Sequence, residues 1–213
     1  SAIDVRQREY FLLGAEIWRI NAETFLPLRV LPVHNLQNIQ YDYSLNKMFG
    51  VKVDDKVYRL VEINLNDGTE SVIVTLPISS LIGNGFAYDQ RNHRYFVSTQ
   101  EDQSTYVIVF DTTTGKQLNK FAVPKALANL EYDPLAKRLL GISSATLCSI
   151  DNLDTHQPVF KELVKLATEG LPNLYGGAVD PLNNRYLANL RTPGQTQSLW
   201  VSVDLSTLEI IFS

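Results

Sequence analysis

The chain has 213 residues, of which 45% are hydrophobic and 20% charged, and its formal net charge is −4. This composition is that of a folded globular protein and excludes an intrinsically disordered chain. The mild acidity excludes the strong positive field of a general nucleic-acid binder, and no apolar run reaches the about 18 residues that a membrane span needs.

A short motif recurs along the chain. An aspartate is followed six and seven residues later by two large apolar residues, as Asp89 is followed by Tyr95 and Phe96. The motif occurs five times, once every 38 to 47 residues. The five aspartates are Asp4, Asp42, Asp89, Asp133 and Asp180. Repetition at this period indicates a fold built from similar units that stack on one another.

Each unit is expected to contain four short strands. The first ends at the aspartate, and the second begins near the apolar pair. The third ends in an apolar residue followed by Asp or Asn: Ile20-Asn21, Ile63-Asn64, Phe110-Asp111, Ile150-Asp151 and Val203-Asp204. The fourth is a β-rich run: Leu28–Leu31, Val72–Leu76, Leu118–Val123, Val159–Leu166 and Ile210–Phe212. We interpret the repeated aspartates as turn formers, because Asp accepts hydrogen bonds from backbone NH groups two residues ahead.

Two segments bear on the prediction of four strands in each unit. Lys161–Ala167 has a composition that also suits a helix, but it occupies the fourth-strand position of its unit, so we predict a strand. Tyr106–Phe110 is apolar at every position, which is typical of a strand covered on both faces.

Five units of four strands predict an all-β fold, a five-bladed β-propeller of four-stranded antiparallel blades. We expect residues 1–213 to form a single propeller domain. The predicted blades span about 1–33, 34–79, 80–125, 126–168 and 169–213. The alternatives are a β-sandwich, which equal units argue against, and an open solenoid, which would need distinct capping units.

The third unit also resembles a known repeat. Val107–Lys116, followed by Phe121–Pro124 and then Leu130–Pro134, is similar to the repeat of YVTN-type and NHL-type β-propellers. The resemblance implies the propeller fold. It also implies a binding scaffold as the commonest function, although some such proteins are hydrolases or lyases.

Four asparagines stand in a recurrent position that we place just before the first strand of a unit. They are Asn38, Asn84, Asn129 and Asn173. In a propeller this position opens on one mouth of the channel, where amide groups can both donate and accept hydrogen bonds. The asparagines are therefore candidate ligand-binding residues, with loop capping or contacts between blades as the structural alternative.

Acidic residues mark the predicted loops between second and third strands at the same mouth. We expect two of these loops to be long, one around Asp54 and Asp55 and the other around Glu101 and Asp102. They could bind a divalent cation or a basic partner. A hydrolase of the glycosidase or lactonase kind would need two such carboxylates at a defined separation, with Glu169 as a further candidate.

These features favour a binding or scaffold protein that recognises a protein or a small molecule at the channel mouth. The five-bladed hydrolase is the alternative, and a lectin is a third, weaker one. No motif for a cofactor is present, and the three histidines fall in different units, so neither a cofactor nor a metal site is predicted. The chain begins with Ser1 and not with Met, so two interpretations stay open: a signal peptide was removed, or the sequence is part of a larger protein. The first would place the protein in the periplasm or outside the cell, which gives slight support to a secreted or periplasmic location.

Overall fold

The computed structural model describes residues 2–4, 6–155, 157–166, 173–191 and 198–212. All regular secondary structure in these residues is β: twenty strands form five sheets of four. Within these ranges no helix is long and apolar enough to cross a membrane.

The strands are numbered in chain order. The first sheet contains β1 (Ala2–Asp4), β2 (Glu9–Leu13), β3 (Ile17–Asn21) and β4 (Pro27–Leu31). The second contains β5 (Leu36–Asp42), β6 (Lys47–Asp54), β7 (Val57–Ile63) and β8 (Glu70–Thr75). The third contains β9 (Leu81–Asp89), β10 (Arg94–Glu101), β11 (Ser104–Asp111) and β12 (Gln117–Val123). The fourth contains β13 (Ala128–Asp133), β14 (Arg138–Ser143), β15 (Thr146–Asp151) and β16 (Val159–Lys165). The fifth contains β17 (Asn173–Asp180), β18 (Arg185–Arg191), β19 (Ser198–Asp204) and β20 (Ile210–Phe212).

Every sheet is made of four consecutive strands that pair in chain order. The pairing is antiparallel, as in Asp133↔Arg138 at the start of the fourth sheet and Leu139↔Ile150 beside it. The chain is thus an all-β protein with the fold of a five-bladed β-propeller, and this confirms the predicted fold class. The ambiguous segment after Val159 is strand β16, as its position in the repeat predicts.

The repeated aspartates close the first hairpin of their sheets. Oδ1 of Asp42 accepts hydrogen bonds from the backbone NH groups of Ser44 and Leu45 at 2.8 and 3.0 Å. Asp4, Asp133 and Asp180 each make the same two bonds to the second and third residues that follow them. Because a short carboxylate satisfies NH groups that the turn leaves free, the aspartates are turn formers, as predicted.

The second carboxylate oxygen has a separate role. In Asp4 it accepts a hydrogen bond from the Tyr41 hydroxyl at 2.6 Å, so a residue of the first sheet is fixed to β5 of the second. In Asp133 it accepts a bond from Nε of Arg138 at 3.0 Å. This difference matches the residue that directly precedes the aspartate of the next repeat. After Asp4 that residue is Tyr41, and after Asp133 it is Val179, which has no hydroxyl. Both aspartates are buried, and each has a partner for both oxygens.

The structure divides into two compact units. The first consists of Ser1–Ser79, Gln90–Arg94 and Asp111–Lys116, and the second of Ser80–Asp89, Tyr95–Phe110 and Gln117–Ser213. In the first unit, Phe11, Ile17 and Leu31 of one sheet pack with residues of the next, including Met48 and Val61.

The second unit shows why its strands are apolar on both faces. Consecutive residues of a strand point to opposite sides of a sheet. In β14, Leu139 belongs to a core cluster with Phe96 and Val107 of the third sheet, while Leu140 belongs to another with Tyr186 and Val201 of the fifth. The fourth sheet is therefore covered on both sides by apolar side chains.

The predicted long acidic loops are wrong. Strand β6 runs to Asp54 and β7 begins at Val57, so only Asp55 and Lys56 form the turn, both with positive φ (48° and 66°). In the third sheet, only Asp102 and Gln103 separate β10 from β11. Each turn has two residues, of which at least the first has left-handed backbone, and such short turns allow the strands to extend through the acidic residues.

Candidate functional site

The four candidate asparagines lie inside the first strands and not before them, which corrects the prediction. Asn38 is in β5, Asn84 in β9 and Asn129 in β13, and Asn173 is the first residue of β17. Asn84 and Asn129 have positive φ, 52° and 50°, a backbone conformation that asparagine tolerates better than most residues. The strand pairing of β13 shifts at this point, between Ala128 and Glu131. The asparagines therefore mark irregular points within strands.

Asn38 contributes a side-chain hydrogen bond to its own sheet. Its Oδ1 accepts a hydrogen bond from the backbone NH of Val51 at 3.2 Å, across its own hairpin. The pairing of β5 shifts there, between Leu36 and Asn38. Its amide thus helps to hold an irregular strand pair together. The side chain of Asn173 lies outside the described residues.

Asn84 and Asn129 form a polar contact between neighbouring first strands. Nδ2 of Asn84 donates a hydrogen bond to Oδ1 of Asn129 at 3.3 Å, and β9 packs against β13. Asn129 is only 3% exposed, and its own Nδ2 has no hydrogen-bond partner among the residues that the structure describes. A buried donor without a partner destabilises a protein by about 1–3 kcal/mol. This amide is therefore a place where a bound group would be stabilised.

Glu131 lies two residues beyond Asn129 in β13, and the sequence analysis did not select it. Its side chain keeps partial solvent access, yet burial raises the pKa of its carboxyl group to about 8. No described residue gives this carboxyl a hydrogen bond or an ion pair. The carboxyl group is thus largely surrounded by protein, although water can reach part of the side chain. It is mainly protonated at neutral pH and can donate a hydrogen bond.

The repeat contains a sequence feature that distinguishes Glu131 from the equivalent residues of the other sheets. The residue two positions before the repeated aspartate is Ala2, Gln40, Ala87, Glu131 or Ala178, so one sheet alone carries a charged group there. A departure from repeat symmetry at an otherwise small or neutral position indicates a specific role. The burial that raises its pKa could not be derived from the sequence, because it depends on the strands beside β13.

Tyr186 connects this cluster to the fifth sheet. Its hydroxyl, on strand β18, donates a hydrogen bond to the backbone carbonyl of Asn129 at 3.0 Å. Burial, followed by the charge of Glu131, raises the pKa of Tyr186 well above its ordinary value, so the phenol remains a neutral donor. Gly177 makes room for it, since a Cβ atom there would lie 2.1 Å from the hydroxyl oxygen. We call Asn84, Asn129, Glu131 and Tyr186 the first-strand polar cluster.

The predicted acidic residues occupy other environments. Asp54 forms an ion pair with Arg59 at 3.1 Å, and Glu101 forms one with Lys120 at 2.6 Å, each within its own sheet. Asp55 and Asp102 are exposed turn residues with positive φ. Glu169 lies outside the described residues. Asp54 and Glu101 thus serve as cross-strand ion-pair partners, and Asp55 and Asp102 as turn residues.

Cys148 is buried, and burial raises the pKa of its thiol to about 11, so it stays protonated and unreactive. Across the ranges that the structure describes, no group of three or more His, Cys, Asp and Glu side chains is placed to hold a metal ion.

Comparisons with known proteins add evidence on the fold. No family model and no curated protein matches the sequence. Among solved structures, the chain is similar to one in a nidogen/laminin complex, with a TM-score of 0.75 and 10% identity, covering 99% of this chain and 76% of that one. It is similar to TolB from Acinetobacter baumannii, with a TM-score of 0.64 and 12% identity, over 96% of this chain.

The chain spans about half of that TolB chain (51%). It also resembles an oligogalacturonate lyase in complex with manganese, with a TM-score of 0.60 and 14% identity, over 97% of this chain and 62% of that one. At such low identities these similarities show the shared β-propeller fold alone.

The contact of Gly177 with Tyr186 predicts an unequal effect of two adjacent substitutions. Gly177→Ala forces the Tyr186 hydroxyl away from Asn129, and we expect it to lower the free energy of unfolding by about 2 kcal/mol or more. Gly176→Ala is the matched control, because a Cβ atom there meets no atom of the described residues within 4 Å. Chemical denaturation measures both. Equal effects would contradict the proposed packing.

The burial of Glu131 predicts a pH dependence of stability. Its pKa is about 8 in the folded protein and 4.5 when unperturbed, so the folded state binds more protons between these values. Stability from this group should therefore fall as pH rises from about 5 to 8 and level off above that. Glu131→Gln cannot ionise, so it should gain about 2 kcal/mol relative to the wild type over this range; this is less than the full shift implies, because water reaches the group. Parallel stability profiles of the two proteins would contradict the raised pKa.

Proposed function

We propose that the chain is a binding propeller and that the first-strand polar cluster contacts its ligand. The observation that carries this proposal is the buried Nδ2 of Asn129, which has no hydrogen-bond partner in the described part of the chain and lies in a cluster that also holds Glu131. We further propose that residues 1–213 act as one domain. Of the asparagines selected from the sequence, Asn84 and Asn129 remain in the proposal as ligand-binding residues.

The chemistry of the cluster limits what it can bind. Asn129 offers a donor through Nδ2, and Glu131 offers either a proton or, once ionised, a negative charge. A bound ammonium group would favour ionised Glu131 and would release its proton, because an opposite charge nearby lowers the pKa of a carboxyl group. The best match is therefore a small amine that also carries an acceptor for Asn129, or a lysine side chain of a protein partner.

The structural relatives are compatible with this function. One similar chain is part of a nidogen/laminin complex, a protein–protein assembly. Because the identity is 10%, this supports a binding scaffold in general and no particular partner.

The alternative is a glycosidase- or lactonase-like hydrolase, and one observation favours it. Glu131 has the raised pKa that a general acid needs, and another structural relative is a lyase. Against it, Asp54 and Glu101 are engaged in ion pairs, and Asp55 and Asp102 are turn residues. A general acid alone does not hydrolyse a glycoside, since a second carboxylate must activate water or attack.

A thermal-shift screen with amines, amino acids and lysine-containing peptides at pH 7 tests the binding proposal. A ligand at about 100 times its Kd stabilises the folded protein by about 2.7 kcal/mol, which is readily seen as a rise in Tm. We expect Asn84→Ala and Glu131→Gln each to reduce that rise, and we expect Asn38→Ala to preserve it, because the Oδ1 atom of Asn38 is already engaged by the backbone NH of Val51.

The outcome separates the two functions. A ligand that raises Tm equally in all variants binds elsewhere and contradicts the proposed site. Conversion of a ligand to a new product, followed by NMR and lost in Glu131→Gln, would favour the hydrolase. Calorimetry in two buffers of different ionisation enthalpy should also detect proton release on binding of an amine.

A further inference from the structure

A surface groove lies on the second sheet, within the first compact unit and apart from the first-strand polar cluster. Its volume is about 380 Å³, which is in the range of small-molecule sites. One wall is the sheet, with Lys47, Glu62 and Ser71, and the other is the turn Thr112–Thr114. Val72 and Ile73 contribute apolar surface, and Phe49 behind them is buried.

The wall formed by the turn is held firmly. Thr112 donates two hydrogen bonds to the carbonyl of His93, from its NH at 2.9 Å and from its hydroxyl at 3.1 Å. Gly115 has φ of 70°, and a Cβ atom there would lie 2.6 Å from the backbone carbonyl oxygen of Ile73 in β8. Only glycine at position 115 therefore allows the turn to lie this close to β8. This close contact fixes the width of the groove.

An ion pair occupies the centre of the groove wall. Nζ of Lys47 lies 2.8 Å from Oε2 of Glu62, and both side chains are partly exposed, at 43% and 33%. A neutral hydroxyl can donate to Glu62 and accept from Lys47, which gives charge-assisted hydrogen bonds on both sides. A charged ligand would attract one member of the pair and repel the other. The pair thus favours a neutral ligand with several hydroxyl groups.

A second groove of about 290 Å³ adjoins the first and shares Leu45, Lys47, Glu62 and Ser71 with it. Asn46, Asn64, Asn66 and Thr69 supply amide and hydroxyl groups there. The two grooves thus flank a single ion pair, each with hydrogen-bonding groups of its own. This arrangement suits a ligand with at least two similar polar units joined in a row.

We propose that these paired grooves form a binding site for a neutral oligosaccharide, with one sugar residue on each side of the Lys47–Glu62 ion pair. The exposed side chain of Val72 and the partly exposed side chain of Ile73 offer an apolar contact for the CH face of a sugar ring. The Thr114 hydroxyl is held in place at the groove, since it accepts from the NH of Lys116 at 3.3 Å and donates to the Asp111 carboxylate, and its oxygen can accept a further hydrogen bond from a sugar hydroxyl.

The chain itself provides a matched pair of variants. Thr114→Arg places a bulky charged side chain in the groove. Thr207→Arg makes the same change in the equivalent turn of the fifth sheet, where the Thr207 hydroxyl likewise accepts from a backbone NH, that of Glu209, at 3.3 Å. Both threonines are exposed, so neither change should prevent folding. Glu62→Gln removes the charge of the pair while keeping its shape.

The experiment is NMR titration of the protein with cellobiose, maltose and diacetylchitobiose, and with digalacturonate as the charged comparison. We expect millimolar binding of a neutral disaccharide, with shifts at the amides of Thr112–Thr114 and Ser71. Thr114→Arg should weaken it at least about tenfold and Glu62→Gln about fivefold, while Thr207→Arg leaves it unchanged.

Three results would overturn the proposal: no binding of any neutral disaccharide, binding of digalacturonate alone, or equal weakening by Thr114→Arg and Thr207→Arg. The spectra also report whether each variant folds. Because the first-strand polar cluster uses different residues, Glu131→Gln should leave saccharide binding intact, so the two proposals fail or succeed separately.

Discussion

The carboxylate at the end of a first strand is the interaction on which the rest of the structure depends. One oxygen of Asp4 binds two backbone NH groups of its own turn, and the other binds the Tyr41 hydroxyl in the next sheet. A single buried group thus shapes a hairpin and fixes the neighbouring sheet against it. Its burial is favourable only because every lone pair that faces the protein has a donor.

This constraint explains where the repeat can vary. In the fourth sheet, Asp133 keeps its turn bonds but takes Arg138 as its second partner, and the fifth sheet has Val179 where the second has Tyr41. Apolar packing then replaces the hydroxyl contact, since Val179 lies against a core cluster that contains Tyr186. Similar sheets can therefore be joined by different chemistry, provided that the aspartate remains satisfied.

Much of the fold followed from the sequence because its signals are local. The aspartate turns, the apolar pairs and the strand after Val159 depend on neighbours a few residues away. The asparagines and acidic loops were misplaced because positive φ at Asn84, Asn129 and Asp55 extends strands or tightens turns in ways that composition does not reveal. Glu131 was missed because its raised pKa arises from the packing of β13 between β9 and β17.

The two proposed sites use polar groups in different ways. Asn129 and Glu131 are held by the protein in surroundings that leave hydrogen-bonding capacity unused, so a ligand would relieve an existing penalty. Lys47 and Glu62 already satisfy each other near solvent, so a ligand there gains only from added hydrogen bonds. The first arrangement suits selective recognition, and the second suits weaker binding to an extended surface.

A double-mutant cycle between Asp4 and Tyr41 tests the role of the aspartate most directly. Asp4→Ala, Tyr41→Phe and the double variant are compared by chemical denaturation, so that the loss of the turn bonds cancels. A charge-assisted hydrogen bond between sheets predicts a coupling energy of about 1.5 kcal/mol or more. A coupling below about 0.3 kcal/mol would show that the two residues act independently and would contradict this account.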